Sequence, residues 1–227
     1  MPNLNDDFSV RVAVHASQSP WIESPMPGVE CKMLDRIGDE VARATSIVRY
    51  APGSHFSPHN HDGGEEFLVL EGTFQDETGD FPAGTYVRNP PGTSHTPGSE
   101  AGCVILVKLW QFHPQDQERT VLDINQESLA VARGRPDPFS VRLYSSKYER
   151  VEVAAWAAGA DMTIPCPAGA EFFVLEGSFS DGDEVFSAYD WLRVPCDHTV
   201  NLVAGEAGVS IWIKSGHLRD VQTVPAV

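Results

Sequence analysis

The sequence predicts an all-β protein built from two copies of one unit, and three observations carry that prediction. Short β-prone runs recur between turns rich in glycine (19 residues) and proline (17 residues), the pattern of many short strands. The 227 residues suffice for one large domain or two small ones. The run Glu66–Phe74 (EFLVLEGTF) is echoed by Glu171–Phe179 (EFFVLEGSF), and further matches at nearly the same offset mark a tandem duplication.

The elements follow in order. Ala44–Tyr50 and Val151–Trp156 are alternating stretches that precede the paired runs. Val87-Arg88-Asn89-Pro90 is matched by Leu192-Arg193-Val194-Pro195, and Val104–Lys108 by Val209–Lys214. The expected organisation is a first domain over 1–114, a linker over 115–139 and a second domain over 140–227. Within the linker, Val121–Arg133, with Asp123 ahead of Ile124, reads as a short helix that Gly134 and Pro136 break.

Composition narrows the function classes. Lys and Arg total 16 against 32 Asp and Glu, a formal net charge of −16, which argues against nucleic-acid and anionic-membrane binding. No apolar run spans a bilayer, and Met1–Asp7 has no signal-peptide character. Cys31, Cys103, Cys166 and Cys196 are scattered, which reads as free or buried thiols in a reducing, cytoplasmic compartment.

The chemistry concentrates in Pro52–Gly72 and Gly84–His95. In an extended segment His59 and His61 point to one face. Gly63-Gly64 supplies a turn, and Glu65 opens the next strand beside the two histidines. His95 follows a Pro90-Pro91-Gly92 turn and reaches the others only if the sheet closes or curves strongly. Three imidazoles and a carboxylate are the donors of a divalent metal site. Glu66 is the rival carboxylate, but its strand parity is opposite to that of Glu65. His55 shares the parity of His59 and His61, so it lines the pocket mouth or is an exposed turn residue. Phe67, Val69, Tyr86 and Arg88 flank the ligands, as pocket lining or as ordinary core. Arg193 recurs at the place of Arg88 in the other copy, which favours a structural role for both arginines.

These residues resemble the two motifs of the cupin superfamily. Gly53, His59, His61, Glu65 and Gly72 match the first motif. Gly84, Pro90, Gly92 and His95 match the second, with Ser99 where that motif ends in Asn. The resemblance implies two jelly-roll β-barrels in tandem, a bicupin. Trp21, Pro25–Val29, Gly63–Gly72 and Tyr86–His95 look further like the cupin domain of ChrR-type zinc-dependent anti-sigma factors. That likeness implies His59, His61, Glu65 and His95 as ligands of one divalent ion, expected to be zinc, although iron, manganese and nickel accept the same donors. It also implies a sensor or regulatory module of an oxidative-stress transcription response, with an extracytoplasmic-function sigma factor as partner. Met1–Pro20 is short for the helical sigma-binding domain of that family, so this partner does not carry over on residues.

Similar cupins include iron dioxygenases that cleave diketones or hydroxyaryl ketones, which is the rival reading. Glu65 counts against the three-His variety of these enzymes. A small-molecule ligand in the first barrel and a homodimer are further expectations. The second copy is expected to lack a metal: Pro165-Cys166-Pro167 stands for His59-Asn60-His61, Ala170 for Glu65, and His198 is the counterpart of His95. Cys166, Cys196 and His198 are the donors of any softer second site.

Overall fold

The computed structural model describes residues 3–126, 139–222 and 224. It is a tandem cupin, nearly all β, with two compact units. The first sheet runs Thr120–Asp123, Thr85–Asn89, Glu65–Asp76, Cys103–Leu109, Ala42–Tyr50, Val29–Gly38 and Ile22–Glu23, antiparallel throughout. The second runs Val12–Val14, Trp191–Val194, Ala170–Asp181, His198–Ser215, Arg150–Trp156 and Phe139–Ser145. The order is the same, and so is the hydrophobic alternation: Glu65–Asp76 and Ala170–Asp181 carry identical burial patterns.

One strand differs in its origin. In the first unit the edge beside Thr85–Asn89 is Thr120–Asp123, with Thr120 opposite Arg88. In the second unit the same edge position, opposite Arg193, is taken by Val12 of Val12–Val14. Residues 7–19 therefore belong to the second unit, and the first extends through Asp123. The expected bounds, a first domain over 1–114, a linker over 115–139 and a second domain over 140–227, differ from this division. A short apolar run such as Val12-Ala13-Val14 fits any sheet edge, and pairing, not pattern, decides which. The expected helix over 121–133 is likewise corrected at its start: Thr120–Asp123 is strand and residues 124–126 are helical. Residues 127–133 of that expectation lie outside the described residues.

Each unit has its own apolar core. Phe67, Val69, Phe74, Phe81, Val87 and Ile105 are buried in the first, and Phe172, Val174, Phe179, Phe186, Leu192 and Ile211 in the second. Phe67 and Val69 are thus core. Residues of opposite parity form buried polar networks. In the first unit Tyr86 donates to Glu66 (2.5 Å), and Arg88 pairs with Asp116 (2.8 Å) and covers the Phe112 ring at 4.2 Å. In the second, Arg193 donates to the Asp7 carbonyl (2.9 Å) and covers Phe8 at 4.0 Å. Both guanidiniums are buried and engaged by protein groups, the structural role that their recurrence suggested. Among the described residues no helix is long and apolar enough to cross a membrane.

Candidate metal centre

His59–His61 pairs antiparallel with Thr93–His95, setting His59 opposite His95 and His61 opposite Thr93. Alternation then turns His59, His61 and His95 to one side and Asn60 and Ser94 to solvent. The three histidines each offer a ring nitrogen within 4.8 Å of the others, the one such group of His, Cys, Asp and Glu among the described residues. The Nε2 atoms of His61 and His95 are 2.9 Å apart. Glu65 Oε2 lies 3.6 Å from the first and 3.5 Å from the second. Donors held about 2.0–2.2 Å from one ion stand about 3.0–3.5 Å from each other, so these spacings suit a common centre. His59 is the most open member; His61, His95 and Glu65 are buried.

The turn between His61 and Glu65 depends on its two glycines. A Cβ on Gly63 would overlap the Trp110 indole, and one on Gly64, at φ +77°, would overlap the Phe112 ring. Gly64 N–H closes the turn onto the His61 carbonyl (3.1 Å), and Gly92 N–H, from the second motif, reaches the same oxygen (2.9 Å). Trp110 itself sits at φ +58°, an unfavourable conformation for a bulky residue that folds its ring over Gly63. Both motif turns are therefore anchored on one carbonyl, and the first is roofed by Trp110 and Phe112.

The groups around the donors fix their orientation. His59 Nδ1 is 2.9 Å from the Ser57 carbonyl, which leaves Nε2 toward the centre. His95 Nδ1 is 3.3 Å from Asp76 Oδ2, a carboxylate–imidazole pair of the kind that sets the tautomer of metal ligands. Asn89 Nδ2 donates to Glu65 Oε2 (3.2 Å). Burial, reinforced by neighbouring His95 and His59 and opposed by Glu65, pushes the His61 pKa below its ordinary 6.5. His61 thus stays neutral, the form that ligates. A carboxylate as buried as Glu65 is costly without a cation, and a divalent ion among these donors supplies one. The residues fit a metal.

Other expectations resolve as follows. Glu66 faces the opposite side and is engaged by Tyr86 and Arg88. His55 is exposed and lines a recess with Asp76 and Thr96 rather than joining the triad. Ser99, in place of the motif Asn, donates to the Thr73 carbonyl (2.6 Å). Asp76 and Asn89 were missed as orienting groups. Asp76-Glu77-Thr78-Gly79 reads as a turn, and one carboxylate oxygen does cap Thr78, which hides the other oxygen's contact with His95.

The second unit corrects the expected correspondence. Cys166 lies opposite His198, and Ile164 opposite Val200. By the register of the first unit, Ile164 stands for His59, Cys166 for His61 and Val200 for His95, so His198 is the counterpart of Thr93. Ala170 stands for Glu65, as expected, and Val194, opposite Ala170, for Asn89. All five replacements are apolar or nearly so. Burial raises the Cys166 thiol to about 11, leaving it protonated and a poor ligand.

With this geometry established, the class is plain: both units have the cupin fold, and the first resembles the cupin domain of ChrR. Residues 9–113 match the ChrR Cupin-like domain family. Similar solved structures include a candidate dioxygenase from Nostoc punctiforme (15% identity, TM-score 0.70, 96% of this chain and 87% of that one). The protein Ylba from Escherichia coli is similar too (13%, 0.70, 95% and 94%), as is the pirin YhhW from E. coli in complex with nickel(II) (13%, 0.64, 96% and 100%). No curated protein matches significantly.

Proposed function

We propose that the first barrel binds one divalent metal ion through His59, His61, His95 and Glu65, and that the chain works as a metal-dependent sensor or regulatory module of the ChrR cupin type. The observation that carries it is the convergence of two buried imidazoles and a buried carboxylate within 3.6 Å of one another, with His59 closing the set. Such an ion supplies Lewis acidity and, if redox-active, an electron. The chain's own contribution is a neutral His61, an Asp76-oriented His95 and an Asn89-held Glu65. Zinc is the favoured metal, by the ChrR likeness; the pirin neighbour holds nickel. A cytoplasmic setting and a sigma-factor or other regulatory partner belong to this proposal.

The second reading is an iron dioxygenase acting on a small diketone or hydroxyaryl ketone. It is favoured by the openness of His59, which gives a small molecule a way in, and by the candidate dioxygenase among the neighbours. One experiment separates the two. Protein is purified aerobically and anaerobically, its metal content measured, and O₂ uptake followed after iron loading with a panel of such ketones. One equivalent of zinc without uptake is the expected result. Substrate-dependent uptake that is abolished in His59→Ala would overturn the sensor reading in favour of the enzyme.

A further inference from the structure

Where the first unit has its candidate metal donors, the second has a cavity. Sheet register identifies each change. Val48 lies opposite Ile105, which lies opposite Val69; Ala154 lies opposite Ile211, which lies opposite Val174. Val48 is therefore replaced by Ala154, as Glu65 is by Ala170 and His61 by Cys166. All three replacements are smaller. Tyr50 is replaced by Trp156, which keeps one broad aromatic wall. The result is a cavity of about 460 Å³ walled by Ala154, Trp156, Ile164, Cys166, Ala170 and Ile213. That volume lies within the ligand-pocket range of about 300–1,000 Å³.

The mouth decides the ligand. Ser140 and Ser215 line it, beside Met162. Its charged groups, Arg150 and Glu152, are bonded to each other at 2.6 Å. Their charges cancel, so nothing at the rim is left to select an ion. The chain's net charge of −16 further disfavours anions. The wall offers dispersion contacts and a protonated thiol, and the two serine hydroxyls can bond a hydroxyl or carbonyl.

We propose that the second barrel binds a neutral, mainly apolar small molecule, aromatic or branched, with one hydroxyl or carbonyl end. This is independent of the metal in the first barrel. The test is titration of the whole chain with N-phenyl-1-naphthylamine, a neutral fluorophore, with the anionic 8-anilinonaphthalene-1-sulfonate as control and 1-naphthol as competitor. Saturable 1:1 binding of the neutral probe, displaced by 1-naphthol, is expected. Affinity should fall at least about tenfold in Ala170→Phe, which fills the floor, and in Met162→Trp, which narrows the mouth, and stay unchanged in His61→Ala. If Ala170→Phe misfolds by circular dichroism, Met162→Trp decides. Absent saturation, full binding in the cavity variants, loss in His61→Ala, or tighter binding of the anionic probe would each overturn the proposal.

Discussion

The two barrels share a strand order and a burial pattern, yet one interior ends in three histidines and a carboxylate and the other in Ile164, Cys166, Ala170 and Val200. The scaffold therefore does not require the site. A jelly roll of this kind closes one end of its core with apolar side chains or with polar ones that an ion can hold together. Polar closure costs desolvation of Glu65 and of the imidazoles, and apolar groups of similar volume are often equally stable or more so. That cost is a reason to read the first barrel as functional. The polar set also brings supports that the second barrel lacks. Asp76 holds His95, whereas its repeat partner Asp181 holds Arg11 at 3.0 Å. Asn89 holds Glu65, whereas Val194 faces Ala170.

The sharpest break of the comparison is removal of a donor. His61→Ala or His95→Ala should abolish stoichiometric metal, measured by mass spectrometry of the desalted protein, while His198→Ala, altering the counterpart of Thr93, should leave it intact. Retention of a full equivalent in His61→Ala would sink the site. The next largest effect tests the supports. Asp76→Asn should weaken metal binding about 10–100-fold, the usual cost of losing an orienting carboxylate, whereas Asp181→Asn should not change it. Competition with a chromophoric chelator measures both, and equal affinities in the two variants would make Asp76 a bystander.

A smaller effect tests the turn. Gly64 and Gly169 occupy matching positions with φ +77° and +70°, roofed by the Phe112 ring and by Leu218. Gly64→Ala should cost about 1–3 kcal/mol, as overpacking of a core does, and should loosen the metal by moving Glu65 against His61. Gly169→Ala should cost less, because the Leu218 side chain can swing away, and should not touch the metal. Denaturant midpoints paired with metal titration report both. A Gly64→Ala protein that keeps its wild-type metal affinity would separate the turn from the site.

How much of this was legible in the sequence follows from the same particulars. Parity and spacing gave the donors His59, His61, Glu65 and His95, because a strand's period of two is fixed by its backbone. Repetition gave the two units. What sequence could not give was pairing. The home sheet of Val12–Val14 and the strand Thr120–Asp123 inside the supposed linker depend on which strands are hydrogen-bonded; the alignment of Val200 with His95 was within reach, because the offset that matches Pro90 with Pro195 also matches these two. Cross-strand supports were hidden for the same reason. Asp76 looks like a turn residue and Asn89 like part of a proline turn until the sheets close around them.

The smallest effect opposes one histidine from each unit through pH. Burial lowers the His61 pKa from 6.5 in the metal-free fold. As pH falls below about 6.5 the unfolded chain takes up this proton before the folded chain does, so the first unit loses stability down through the folded pKa. His15 is raised instead, chiefly by its bond to Asp190 (3.2 Å) and also by Glu184 (3.1 Å), against some desolvation. Its contribution to the second unit is complete below 6.5 and fades as pH rises through the raised value; partial exposure screens it and keeps it modest. In the chelated protein, denaturation midpoints between about pH 5 and 8 should therefore decline on the acid side through His61 and on the alkaline side through His15. His61→Gln should flatten the first decline and His15→Gln the second. Metal should hold the acid side up, since protons must then displace a bound ion. An acid decline that survives His61→Gln unchanged would mean that this imidazole is not the buried, neutral donor described here.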